Sequence, residues 1–253
     1  MIHSILLLGQ SNMAGRGNSD EVSPICNKRL LMLRNGRFCP MHVPVNPDRA
    51  TSGINLSESF ADLYAKDHDV DVGIIPCADG GSCLDQWEVG GILSDHACYM
   101  AELASRTSTI VAVLWHQGES DSSADKAPFY EEKLRVILDA FRRRLGLENV
   151  PFLLGGLGDF LVQCPDPIRR EKFRYYYKVN EMLEHIASTE KFTAFVSAKG
   201  LLSNPDCVHF SAESLREFGV RYYREFLKLE NKDRIFEERT TKDAMIKSGL
   251  ENL

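Results

Sequence analysis

Ile5-Leu6-Leu7-Leu8-Gly9-Gln10-Ser11-Asn12-Met13-Ala14-Gly15-Arg16-Gly17 is the stretch on which the reading of the fold turns. Its apolar run is long enough for a buried strand, and it stops abruptly at Gly9. Ser11 follows two residues later among small and polar neighbours. Open α/β sheets bind their ligands at the carboxyl ends of their strands, so Ser11 is a candidate nucleophile. A serine in that place also serves as a loop residue or helix cap, and a nucleophile needs a base and an oxyanion hole.

Outward from this strand, apolar and β-branched runs recur between amphipathic segments. Residues 29–33, 70–75, 109–115, 150–154 and 192–196 read as further strands. Leu56, Phe60, Leu63 and Tyr64 keep one helical face, and Phe129, Leu134, Ile137, Leu138, Phe141 and Leu145 mark a longer helix. A last helix is expected after Ser211 as N-cap, with Leu215, Phe218, Tyr222, Phe226 and Leu229 as its buried stripe. Alternating strands and helices predict a parallel sheet covered on both faces. Residues 34–55, rich in Pro, Asn and Gly, read as a long loop. We expect one domain over 1–229 and a charged, solvated tail over 230–253.

The chain has 253 residues, 43% hydrophobic and 26% charged, which suits one α/β domain with a substantial core. A net charge of −6 offers no basic footprint for nucleic acid or an anionic membrane. No apolar run is long enough to span a bilayer, and the amino terminus reads as a strand rather than a signal peptide. Cys26, Cys39, Cys77, Cys83, Cys98, Cys164 and Cys207 form no Cys-x-x-Cys pair. Free thiols in a reducing compartment are expected, hence a cytoplasmic protein. Oligomeric state is not legible.

Three further segments fall where strands should end. In Ile74-Ile75-Pro76-Cys77-Ala78-Asp79-Gly80-Gly81-Ser82, paired glycines let a backbone N–H approach a ligand, or simply make a tight turn. In Trp115-His116-Gln117-Gly118-Glu119-Ser120-Asp121, Gln117 can donate to an oxyanion and Glu119 or Asp121 can orient neighbours, or the segment simply caps the next helix through Asp121, Ser122 or Ser123. In Asp206-Cys207-Val208-His209-Phe210, an Asp three residues before a His can accept the Nδ1–H bond and leave Nε2 as a base. No Gly-x-Ser-x-Gly elbow and no nucleotide-binding glycine motif follows a strand. His116, Glu119, Asp206 and His209 have metal-ligand chemistry but lack a ligand spacing such as His-Glu-x-x-His, so no metal and no cofactor is expected.

Taken together and in this order, Gly9–Gly15, Gly80-Gly81-Ser82 with Trp87, Trp115–Asp121, and Asp206-x-x-His209-Phe210 resemble the SGNH hydrolase superfamily. The likeness is closer to its carbohydrate esterase family 6 and sialate O-acetylesterase-like branch. The resemblance implies a flavodoxin-like three-layer α/β/α sandwich and metal-independent removal of O-acetyl groups from carbohydrates, oligosaccharides or sialic acid. It implies Ser11 as nucleophile and His209 as base, with the Ser11 and Gly81 backbone N–H groups and the Gln117 side chain as oxyanion hole. Asp206 is expected as the triad acid, with Glu119 as rival or assistant. Asn12, Trp87 and His116 are expected to meet the substrate. Two alternatives remain at this level: a carbohydrate-binding protein without catalysis, and a lipase or thioesterase of the same superfamily.

Overall fold

Strand β1 (Ile2–Gly9) is the central strand of the sheet, and its Ile5–Leu8 run is completely buried. The other strands are β2 (Leu30–Arg34), β3 (Arg37–Pro40), β4 (Asp71–Pro76), β5 (Ser108–His116), β6 (Phe152–Gly155) and β7 (Thr193–Val196). They form one sheet in the order β3-β2-β4-β1-β5-β6-β7, parallel throughout except for the β2–β3 pair. The computed structural model describes residues 2–230.

The helices are α1 (Ser11–Ala14), α2 (Ser57–His68), α3 (Ile92–Ala104), α4 (Tyr130–Leu145), α5 (Pro167–Lys172), α6 (Tyr176–Thr189) and α7 over 212–230. α3, α4 and α6 pack in succession as one layer. α2 and α7 lie together through Phe60, Tyr64, Tyr223 and Phe226, whose rings meet mostly edge to face. The result is the expected α/β architecture of helices around a mostly parallel sheet. The stripe of α7 is buried at Leu215, Phe218, Tyr222 and Phe226, and the Ser214 N–H donates to Ser211 Oγ at 3.2 Å, the N-cap bond expected there.

Residues 34–55 are not loop throughout. β2 turns at Asn35-Gly36, both with positive φ (49° and 75°), and returns as antiparallel β3. Asn-Gly between short extended runs is the standard signal for such a hairpin, because both turn residues need left-handed backbone. α7 continues through Glu230; the rest of the expected tail lies outside the described residues. Among the described residues, no helix is long and apolar enough to cross a membrane.

The sheet has its switch point at β1, with β4 on one side and β5 on the other. Gly9 pairs with His116 in the β1–β5 register, and a Cβ on Gly9 would stand 2.0 Å from the His116 carbonyl oxygen. Only glycine tolerates that approach and its φ of 131°. The Gln10 N–H then donates to His116 O at 2.9 Å, and the chain turns directly into α1. On the other side, the Asp79 N–H donates to Gly9 O at 3.0 Å, carrying the pairing of β1 and β4 past their ends. Three of the four sequence motifs are thereby gathered at one edge of the sheet.

Candidate active site

Ser11 opens α1 and is 6% exposed. Its Oγ lies 3.0 Å from His209 Nε2, and His209 Nδ1 lies 2.6 Å from Asp206 Oδ2. A carboxylate only accepts, so Nδ1 carries the hydrogen and Nε2 is left to take the serine proton. The other Asp206 oxygen accepts the N–H groups of Val208 at 2.9 Å and His209 at 3.0 Å, closing the tight turn that the Asp-x-x-His spacing predicts. Burial pushes the Asp206 carboxyl up, but the hydrogen bonds from the His209 ring and from these two N–H groups outweigh it and hold it at about 2. Arg169 of α5 donates to the Asp206 carbonyl at 3.1 Å and ties that turn to the 164–172 segment.

The Gly80-Gly81 turn stands beside the serine: a Cβ on Gly80 would lie 3.6 Å from Ser11 Cβ. Among the described residues, the backbone N–H groups of Ser11 and Gly81 donate to no protein acceptor. Gly81 has φ of 80°, and nothing stands within 4 Å of where its Cβ would be. Two free backbone donors beside a hydroxyl–imidazole–carboxylate chain are the parts needed for acyl transfer.

Gln117 does not sit as expected. It is completely buried, and its Nε2 faces Asp121 Oδ2 at 2.5 Å, Ser82 O at 3.2 Å and Gln10 Oε1 at 3.3 Å. Two amide hydrogens facing three acceptors leave none for an oxyanion. Instead, Gln117 holds Ser82 behind the turn. Gln10, which the sequence reading did not single out, accepts with its Oε1 from the Gly118 and Ser120 N–H groups, both at 3.3 Å.

The expected substrate contacts are corrected too. Trp87 is fully buried; its ring meets Trp115 edge to face, and its Nε1–H donates to Ser82 Oγ at 2.9 Å, so it stacks on no sugar. His116 is fully buried and makes a 3.1 Å bond from Nε2 to Glu119 Oε1. Asn12 is a clamp: its Nδ2 donates to Glu119 Oε1 at 2.5 Å and Val208 O at 3.0 Å, while its Oδ1 accepts the Phe210 N–H at 3.0 Å. It therefore grips the backbone on both sides of His209. Glu119, the rival acid, bonds His116 and Asn12 rather than His209. Burial pushes its carboxyl up, but His116 and Asn12 more than offset this and keep it low. The four residues weighed as metal ligands split into two separate pairs, His116 with Glu119 and His209 with Asp206. No cluster of three or more His, Cys, Asp or Glu able to hold a metal occurs among the described residues.

The model of the family described as carbohydrate esterase, sialic acid-specific acetylesterase matches residues 2–228. A probable carbohydrate esterase of Arabidopsis thaliana is 26% identical over 248 residues, covering 88% of this chain and 89% of that one. A solved Arabidopsis thaliana structure superposes with a TM-score of 0.78 at 25% identity, over 90% of this chain and 98% of the other. The crystal structure of NanS superposes with a TM-score of 0.70 at 15% identity, over 91% and 98% of the two chains, a likeness of fold.

Proposed function

This chain belongs to the carbohydrate esterase, sialic acid-specific acetylesterase family, and from that membership we propose that it removes O-acetyl groups from carbohydrates through an acetyl-enzyme on Ser11. The observation that carries the reading is the unbroken chain of hydrogen-bonded atoms from Ser11 Oγ through the His209 ring to Asp206, at 3.0 and 2.6 Å. His209 Nε2 takes the Ser11 proton as Oγ attacks the acetyl carbonyl. Charge develops on the carbonyl oxygen, against the N–H groups of Ser11 and Gly81. The sugar oxygen leaves with the proton from His209. Water, deprotonated by the same nitrogen, then splits the acetyl-enzyme to acetate and free serine.

Asp206 holds the imidazole in the tautomer this sequence requires and offsets the charge on the ring after proton transfer. Every group in this scheme belongs to the protein, so we expect turnover without a metal. The seven cysteines are unpaired, in keeping with a reducing compartment, and we take that compartment to be the cytoplasm.

Acetate release from acetylated xylo-oligosaccharides and O-acetylated sialic acids is the direct test, with Ser11→Ala alongside. We expect release from at least one class, abolished in the variant and unaffected by EDTA. Binding of these sugars without serine-dependent release would support the non-catalytic alternative, and preference for octanoyl over acetyl esters would support a lipase.

A further inference from the structure

The Gly80-Gly81 turn raises a physical difficulty. Paired glycines are the most permissive backbone a chain can have, yet an oxyanion donor is effective only if it is already in place when charge develops. The structure supplies rigidity from a segment with no assigned role. Asn46 exchanges two hydrogen bonds with Ala78, donating to its carbonyl at 2.9 Å and accepting its N–H at 3.0 Å. Arg49 donates to the Asp79 carboxylate at 3.0 Å and the Gly80 carbonyl at 3.1 Å. Between them, Asp48 Oδ2 accepts the Gly80 N–H at 2.8 Å. Ala78, Asp79 and Gly80, the three residues leading into Gly81, are thus all held by residues 46–49, Gly80 by both Asp48 and Arg49.

Of the charged contacts Asp48 is the buried one, and its carboxylate is itself fixed. Its side chain is 5% exposed and paired with Arg16 through bonds of 2.7 and 3.0 Å, and Ser52 Oγ donates to it at 2.7 Å. A hydrogen bond to an ionised acceptor is about twice as strong as a neutral one. Arg16 also balances the charge, so the carboxylate does not present an unpaired negative field to a developing oxyanion nearby. Burial pushes the Asp48 carboxyl up, and Arg16, Ser52 and the Gly80 N–H bring it below its ordinary value, which keeps it ionised. The fit also accounts for glycine at position 80, where a Cβ would stand 2.4 Å from Arg16 Nη2 and 2.6 Å from Asp48 Oδ2.

We infer that Asp48, held by Arg16, is a positioning residue that fixes the Gly80-Gly81 turn so that the Gly81 N–H faces the carbonyl attacked by Ser11. This rests on the esterase reading above. Asp48 touches no reacting atom in this scheme; it acts through the backbone of Gly80. Losing an oxyanion donor outright costs about 10²–10³ in kcat, and a loosened donor costs less, about tenfold to a hundredfold.

The test compares Asp48→Ala and Asp48→Asn with wild type, using p-nitrophenyl acetate, active-site titration with an organophosphate, and inhibition by a trifluoromethyl ketone. The ketone forms a tetrahedral adduct on serine and so reports the oxyanion hole itself. For Asp48→Ala we expect kcat per titrated site to fall about tenfold to a hundredfold with little change in KM, and affinity for the ketone to fall in parallel. Asp48→Asn keeps an oxygen for the Gly80 N–H and should show a smaller loss of the same kind. Wild-type kcat and ketone affinity per titrated site in folded Asp48→Ala overturn the proposal; if that variant does not fold, the same result in Asp48→Asn overturns it. A loss confined to the fraction of titratable sites also overturns it, since that is simple misfolding. Wild-type protein without Ser11-dependent turnover overturns the esterase reading and this inference together, which separates the two failures.

Discussion

Asp206 and Glu119 are both carboxylates beside a histidine, and their surroundings separate their roles. Asp206 faces the ring that reaches Ser11, so Asp206→Asn should depress kcat steeply, by about 10⁴ as in a serine-protease triad. Glu119 reaches His209 only through Asn12 and the backbone at Val208 and Phe210. Glu119→Gln should therefore cost less in kcat and act mainly by loosening that clamp. Steady-state kinetics on both variants, with circular dichroism to check folding, decides the matter, and the opposite ranking makes Glu119 the acid. The same Asp206 variant tests linkage. The folded carboxyl titrates at about 2, below its ordinary 3.8, so ionised Asp206 stabilises the fold above 3.8 and that contribution fades as pH falls towards about 2. Melting temperature measured against pH should fall less steeply in this acid range for Asp206→Asn than for wild type.

At the scale of elements, the site is a meeting of loops held from behind. The short 3-10 turn Leu84–Trp87 follows the glycine turn, and its Trp87 ring packs on Trp115 of β5 while its Nε1–H reaches Ser82. Trp87→Ala should therefore destabilise the protein by about 3–5 kcal/mol, the usual cost of deleting a buried aromatic side chain. Whatever activity remains should be reduced alike for acetylated sugars and for p-nitrophenyl acetate. A rise in KM confined to sugar substrates, with an unchanged melting temperature, would restore Trp87 to sugar stacking. The apolar body of this turn and the hydrogen bonds of Gln117 make one support, residues 46–49 make the other, and Gly81 is left open between them.

For the whole molecule, the family match ends at residue 228, and every residue of the proposed site lies between Gly9 and Phe210. A chain ending at Glu230 should fold and keep wild-type kcat; loss of the cooperative melt or of activity would assign residues 231–253 a part in the domain. The α/β class, the central strand and the helix after Ser211 were legible because each leaves a periodic or local mark. A buried strand is a run of apolar residues, an amphipathic helix repeats every three to four, and a cap is one residue from what it caps. Ser11, Asp206 and His209, which the fold joins in one hydrogen-bonded chain, stand out along the sequence for a related reason: one follows the end of a strand, and the others share a single turn. The return of β2 into β3 is also written locally, in Asn35-Gly36, although β2 alone was expected as a strand and β3 fell within the expected loop. What only the tertiary structure decided was which polar groups stand open beside Ser11 and which are used up behind it. Gln117, His116, Asn12 and Trp87 have the chemistry of contact residues, and packing has spent that chemistry on neighbours up to 196 or 198 positions away in the chain. Asp48 grips a turn 32 residues distant by a single hydrogen bond. Such bonds depend on where the folded backbone brings two atoms together, and no composition or periodicity along the chain records that.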